Sequence, residues 1–162
     1  MATFKVGNGI SKYIDQLEEL STSAEGDIKQ AVFVGAGIVT DAVRQNIQSL
    51  PVRGGGYYEN GKMASGITST QKAGLLDGLG IAPFRNSKGY IHVKVGMDGY
   101  NRTRTEKYPM GQPNALIARS VEAGTYWLQA HPFVAPAVRA TKAQAEAAMA
   151  AKFDEVCKKH MT

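Results

Sequence analysis

Ala118-Arg-Ser-Val-Glu-Ala-Gly-Thr-Tyr-Trp-Leu-Gln-Ala-His-Pro-Phe-Val-Ala-Pro-Ala-Val138 is the stretch on which the reading of this 162-residue chain turns. An apolar, helix-compatible run, Ala115 to Ala123, leads into Gly124-Thr125. Glycine is the natural residue for the positive-φ position that stops a helix. The Thr125 hydroxyl can hydrogen-bond the turned backbone. Tyr126, Trp127 and Leu128 then place three large apolar side chains in a short loop. They form either a lid over the core or an exposed contact patch, since Trp and Tyr often anchor interfaces. Pro132 and Phe133 follow, and Pro136 suits the first turn of an alanine-rich helix that runs almost to the end. Val138, Ala145, Met149, Phe153 and Val156 give that helix a narrow apolar stripe.

Towards the N-terminus, Asn8 or Ser11 can cap a first helix with Ile10, Ile14, Leu17 and Leu20 on one face. Ser21-Thr22-Ser23 and Gly26 are read as its break, which makes residues 1–24 a loosely attached helix. A second, longer helix starts at Ser23 or Asp27 and reaches about Leu50. Ile28, Val32, Ala36, Val39, Val43, Ile47 and Leu50 recur along it at steps of three and four. Gly35 and Gly37 inside it each cost up to ~1 kcal/mol relative to Ala, so close approach of a neighbouring element is their expected reason. Pro51 ends the helix.

The middle of the chain is loop-rich. Residues 53–70 hold Gly54-Gly55-Gly56, Asn60-Gly61 and Gly66, and residues 98–114 hold Gly99, Pro109, Gly111 and Pro113. Both are read as long mobile loops, with Asn60-Gly61 able to turn a hairpin between Tyr57-Tyr58 and Met63. Between them lie a short helix from Thr70 to about Gly78 and two strands, Leu79–Phe84 and Tyr90–Met97. Arg85 to Gly89 form the hairpin loop. Ile91, Val93 and Val95 alternate onto one face, which should meet Val39 and Val43. The expected fold is a single α+β domain. A small antiparallel sheet of three to four strands is covered on one face by the long helix and the long C-terminal helix.

The stretch 118–138 resembles the "E-x-G-T … P-F-x-x-P-A" signature of neck and tail-component proteins of long-tailed, lambdoid-type phages, the gene-product-ten-like head–tail connector and tail-completion family. Gly74-Leu-Leu-Asp-Gly-Leu-Gly-Ile81 stands where that family places a turn into the sheet. The resemblance spans roughly residues 25–158. It implies structural turn roles for Glu122, Gly124, Thr125, Pro132, Phe133 and Pro136. It also implies a structural virion protein, not an enzyme, that assembles as a ring between the head connector stack and the tail tube. A hexamer is favoured over a dodecamer, with a monomer in isolation. Implied partners are head-completion or adaptor proteins and tail-tube or tail-terminator proteins, with DNA near by in the channel. The implied location is the virion, after assembly in the host cytoplasm.

Composition agrees with a soluble globular domain and narrows the chemistry. One cysteine, Cys157, excludes an internal disulfide and a cysteine-built metal site. His92, His131 and His160 lack metal-ligand spacing and carry no carboxylate cluster. Gly35-Ala-Gly37-Ile-Val-Thr40 superficially resembles a dinucleotide fingerprint, but Thr40 replaces the third glycine and the run sits inside a helical stripe. No cofactor, metal or catalytic residue is expected, and no apolar run reaches the ~20 residues of a membrane span.

The net charge of +5 is uneven. Residues 51–120 hold ten Lys/Arg against four Asp/Glu, whereas residues 1–50 hold four against six. The basic middle comprises Arg53, Lys62, Lys72, Arg85, Lys88, Lys94, Arg102, Arg104 and Lys107. It is either a solvated surface or a lining that meets DNA or an acidic neighbour. Interface candidates are Tyr126, Trp127, Leu128, Tyr57, Tyr58, Arg102 and Arg104. The rival reading is a small cytoplasmic nucleic-acid-binding protein that stacks bases on Tyr57, Tyr58, Tyr90, Tyr100 and Tyr108 beside this basic segment.

Overall fold

A computed structural model of the chain describes residues 8–54, 58–59, 62–88 and 90–160, with side chains from residue 24 onward except 58, 59, 62 and 160. Among the described residues, four helices and six short strands follow in the order α1 (Asn8–Ser49), β1 (Tyr58–Glu59), β2 (Lys62–Met63), α2 (Ser69–Gly78), β3 (Leu79–Ile81), β4 (Arg85–Ser87), β5 (Tyr90–His92), β6 (Val95–Met97), α3 (Asn114–Ala123) and α4 (Val134–His160). The fold is α+β.

The N-terminal third corrects the sequence reading. α1 is one continuous helix of 42 residues, and neither Ser21-Thr22-Ser23 nor Gly26 breaks it. A helical Gly costs only about 1 kcal/mol, which a long tertiary contact outweighs. That contact is α4. It runs antiparallel to α1, with Met149 seated on Gly35 and the Asn46 Nδ2 donating to the Phe133 carbonyl at 2.9 Å. A Cβ on Gly35 would lie 2.6 Å from Met149 Cγ, so the close approach expected of that glycine is present. Gly37 has open space and no such reason.

The buried row of α4 is Ala137, Ala145 and Val156, with Met149 half-buried and Phe133 buried just before the helix. Val138 and Phe153, expected in the stripe, are exposed, Val138 one position off that row and Phe153 in register with Met149 and Val156. On α1 the buried face near the α4 contact includes Asp27 and Ala31, and Ile28 is displaced towards solvent. Buried Thr40 satisfies its hydroxyl by donating to the Ala36 carbonyl at 2.7 Å.

The main core gathers Val43 and Ile47 of α1 and Leu50 just after it with Ile67, Leu75, Ile117, Val121, Leu128 and Phe133. Val39, Val95 and Met97 pack against it half-buried. Ile91 and Val93 are not among these packed residues.

The strands form three two-stranded antiparallel ladders, β1–β2, β3–β6 and β4–β5, where one sheet of three to four strands was expected. β1 and β2 pair across Asn60-Gly61, which themselves lie outside the described residues, as does Tyr57. The other two ladders are one long hairpin with a bulge. Ile81 pairs with Val95 and Arg85 with His92, so residues 82–84 oppose only 93–94. Pro83 has no N–H for the ladder, and the extra residue is absorbed there. Arg85 to Ser87 are therefore strand, and the turn itself begins at Lys88 with φ 53°.

Candidate functional site

α3 and α4 are joined by the junction 124–133, built on a single carboxylate. Glu122, in the last turn of α3, accepts hydrogen bonds from the Phe133 and Val134 N–H groups through Oε2, both at 2.8 Å. Through Oε1 it accepts one from Ala135 N–H at 2.9 Å. These are the orphan donors at the N-terminus of α4, which favour negative charge. Burial pushes the Glu122 carboxyl up. The three backbone donors and the Arg139 charge outweigh burial and hold it below its ordinary value of 4.5.

Gly124 takes φ 75°, and the chain reverses there. Thr125 and Leu128 close a tight turn. Thr125 N–H donates to the Leu128 carbonyl at 2.8 Å, and the Thr125 hydroxyl oxygen accepts from Leu128 N–H at 3.1 Å. The turn is tied to the segment after β2, because Ala64 N–H donates to the Trp127 carbonyl and Gln129 N–H to the Ala64 carbonyl. His131 N–H donates to the Val121 carbonyl at 2.8 Å, and its Nε2 lies 3.0 Å from the Ser65 hydroxyl. Phe133 is fully buried beneath.

This scaffold divides the aromatic triplet. Leu128 is 5% exposed and belongs to the core, not to the surface patch it was grouped with. Tyr126 is 75% and Trp127 49% exposed. Their rings meet edge to face, centroids 4.6 Å apart at 90°. That pairing is worth about 0.5–1.5 kcal/mol and holds the two as one projecting unit. Behind Trp127 lies a shallow cavity of about 210 Å³ that also touches Arg53, Gln112 and Leu116.

Residues 98–114 are a hydrogen-bonded excursion. Asn101 N–H donates to the Gln112 carbonyl, Gln112 N–H to the Thr103 carbonyl and Asn114 N–H to the Gly99 carbonyl, all at 2.9–3.0 Å. Three buried amide side chains anchor its base to α2. Gln71 Nε2 donates to Gln112 Oε1 at 2.9 Å, and Asn114 Nδ2 donates to the Asp98 carbonyl at 2.8 Å. Asn101 Oδ1 accepts from Thr103 N–H, and a Cβ on Gly74 would collide with the Asn101 and Asn114 side chains. Asn101 Nδ2 and Asn114 Oδ1 are buried without a partner. From this base project exposed Arg102, Arg104, Lys107, Tyr100 and Met110.

The basic middle is not a single surface. Lys72 Nζ donates to the Gln48 and Leu50 carbonyls at 2.6 and 2.9 Å, capping the C-terminus of α1. Arg53 Nε donates to the Gly66 carbonyl at 3.0 Å. Both are scaffold. Arg85, Lys88, Lys94, Arg102, Arg104 and Lys107 are exposed, whereas the side chains of Lys62 and Tyr58 lie outside the described residues.

The Glu122 cap and the amide base were not foreseen. A cap donated across 11 residues has no local pattern. The Thr68–Gln71 capping box at the start of α2 is a local signal that was there to find. Among the described residues no group of His, Cys, Asp or Glu could hold a metal, and no helix is long and apolar enough to cross a membrane.

One family model, described as "Bacteriophage HK97-gp10, putative tail-component", matches residues 11–99, more than half of the chain. The match runs from α1 through β6 and includes Gly74–Ile81, and the 118–138 junction lies beyond it. No curated protein matches, and no solved structure matches.

Proposed function

We propose that this chain, which belongs to the HK97-gp10-like family of bacteriophage tail components, is a ring-forming subunit of the phage head–tail junction. Membership makes it a phage tail-related structural protein of the virion. The finer reading is a neck or tail-completion ring, hexameric, between the head connector stack and the tail tube. It assembles in the host cytoplasm from subunits that are monomeric when isolated. Its neighbours are a head-completion or adaptor protein on one side and a tail-tube or tail-terminator protein on the other. It works by binding and not by catalysis.

The observation that carries this reading is the Tyr126–Trp127 pair. Two large aromatic side chains, one mostly and one half exposed, stand on a turn tied by internal hydrogen bonds. The surface they leave in water, 75% of Tyr126 and 49% of Trp127, costs apolar hydration, which is the signature of an interface anchor. Trp127→Ala is the test. The melting temperature should stay close to wild type, while head–tail joining in vitro should fall by more than tenfold. Full joining activity in a folded variant would remove the pair from the interface.

A second reading attaches to the 98–114 excursion. Arg102, Arg104 and Lys107 stand exposed beside Tyr100 and Tyr108, the combination that tracks a nucleic-acid backbone and stacks on bases. In a ring, this segment would face DNA in the channel. In the rival reading, the free monomer itself would bind DNA with steep salt dependence.

A further inference from the structure

We propose that the outer face of the hairpin running from β3 to β6 binds the backbone of duplex DNA, with Arg85, Lys88 and Lys94 as its phosphate contacts. This rests on and deepens the reading that the chain meets nucleic acid, and it places the contact on an element separate from the 98–114 excursion. No acidic residue stands between Asp77 and Asp98, a run that carries three cations and His92. Arg85, Lys88 and Lys94 are all exposed. The ion pairs among the described residues lie within α1 and α4, and none of them uses these three. Lys72 and Arg53, in contrast, are committed to carbonyls of the scaffold.

Register gathers the charges on one face. Arg85 opposes His92 and Ser87 opposes Tyr90, so these four share a side of the ladder. Towards the base, Tyr90, His92, Lys94 and Gly96 alternate with Ile91, Val93, Val95 and Met97, which are all half-buried. Lys94 therefore falls on the charged side, and Lys88 stands at the tip. At the base Gly80 opposes Gly96. Both are exposed, and a Cβ built on either would meet nothing within 4 Å. Neither takes a positive φ. Packing and backbone geometry thus ask for no glycine at these two positions, although glycine weakens a strand. A bare strand interior of this kind marks close approach by a ligand.

The charge pattern selects the ligand. A two-stranded ribbon fits the major groove, about 12 Å wide. A duplex carries one phosphate charge per ~1.7 Å of its axis, so separated cations each find a phosphate without a fixed register, and each releases counterions. An acidic protein surface offers isolated carboxylates, and exposed pairs of that kind are worth little. A single strand needs a row of aromatic rings for its bases, and Tyr90 is the one exposed aromatic side chain of this hairpin.

The test measures binding of the free full-length chain to a fluorescein-labelled DNA duplex by anisotropy over a salt series. Three phosphate contacts give a slope of about −2.7 in log affinity against log salt, or roughly a fortyfold fall for each fourfold rise in salt. The triple variant Arg85→Gln, Lys88→Gln, Lys94→Gln should lose that part of the salt dependence with its melting temperature unchanged. Gly96→Val places its side chain in open space, so it should melt no lower than wild type and yet bind several-fold more weakly. Unchanged affinity in Gly96→Val would overturn the face assigned here. A slope that survives the triple variant and falls in Arg102→Gln, Arg104→Gln would return the contact to the excursion, overturning this proposal and keeping the nucleic-acid reading. No binding by the wild-type chain at low salt would overturn both. Loss of head–tail joining by the triple variant in that case would assign the hairpin to an acidic protein neighbour.

Discussion

Residues 98–114 and residues 124–133 are both irregular segments next to α3, and they are held in opposite ways. The second is held by one carboxylate and one large apolar side chain. Glu122 takes three N–H groups at the head of α4, and Phe133 sits fully buried beneath. The first buries no large apolar side chain. Its anchors are the neutral amides Asn101, Gln112 and Asn114 against Gln71 of α2. A charge and a ring give a hold that responds to pH and to volume. Amides give one that responds to neither but fails when a single partner is removed, because the other is then left buried and unpaired. The two segments therefore present their exposed residues, Tyr126–Trp127 and Arg102–Arg104, on bases with different failure modes.

The difference breaks most sharply at Phe133. Phe133→Ala should cost about 3–5 kcal/mol, since it empties a fully buried site shared by α1 and α4. No residue of the excursion should approach that. Denaturant melts compared across both segments would check it, and a Phe133 variant losing less than 1 kcal/mol would show that the junction does not rest on it. Gln112→Ala comes next, at about 1–3 kcal/mol, by leaving the Gln71 amide buried without its partner. Its mark is local. Hydrogen exchange should speed up at the Asn101, Gln112 and Asn114 amides and stay unchanged at Phe133 and Val134. Equal loss of protection in both segments would mean they are one unit after all.

Legibility followed how local each cause is. Pro51 and Gly124 end their helices through backbone rules that act within a residue or two, and both ends stand where the sequence places them. Gly35 was readable as a close approach, though not that its neighbour would be Met149. Ser21-Thr22-Ser23 and Gly26 misled, because propensity is a weak preference that did not interrupt a 42-residue helix. Val138 misled because period alone does not choose which of two adjacent rows faces the partner helix, whereas Phe153 keeps the period of Met149 and Val156 and is exposed all the same. The site was least legible. The Glu122 cap and the Gln71–Gln112 bond join residues 11 to 13 and 41 positions apart, and no local pattern encodes such pairs.

Acid should sharpen the contrast between the segments. The Glu122 carboxyl is held below its ordinary value in the fold, so its stabilisation is fully present above about pH 4.5 and is lost as pH falls through the lowered folded value. Glu122→Gln keeps the shape but not the charge. It should cost about 1–2 kcal/mol at neutral pH, the scale of a lost helix cap, and flatten the acid limb of stability below about pH 4.5. The matching change at the amide base, Gln71→Ala, should lower stability without altering that limb. An unchanged acid limb in Glu122→Gln would place the titrating group elsewhere.

The smallest effect on the fold is expected at Arg102 and Arg104. Both are exposed on the excursion, and the hydrogen bonds at its base use neither guanidinium. Replacing both with Gln should change stability by no more than about 0.5 kcal/mol. Their loss is therefore a clean probe of what the excursion meets. If it lies against DNA, each arginine that neutralises a phosphate adds about 0.9 to the slope of log affinity against log salt for duplex DNA. The double variant should then flatten that slope by nearly two while binding weakens evenly across sequences. The measurement should be made twice, on the free chain and on the assembled junction. A steep slope in the free chain favours the nucleic-acid-binding reading. A slope that appears only after assembly favours a ring with the excursion turned towards the channel. No slope in either state, with normal head–tail joining by the double variant, would leave Arg102 and Arg104 as solvated surface and put the whole functional weight on the aromatic side of the comparison.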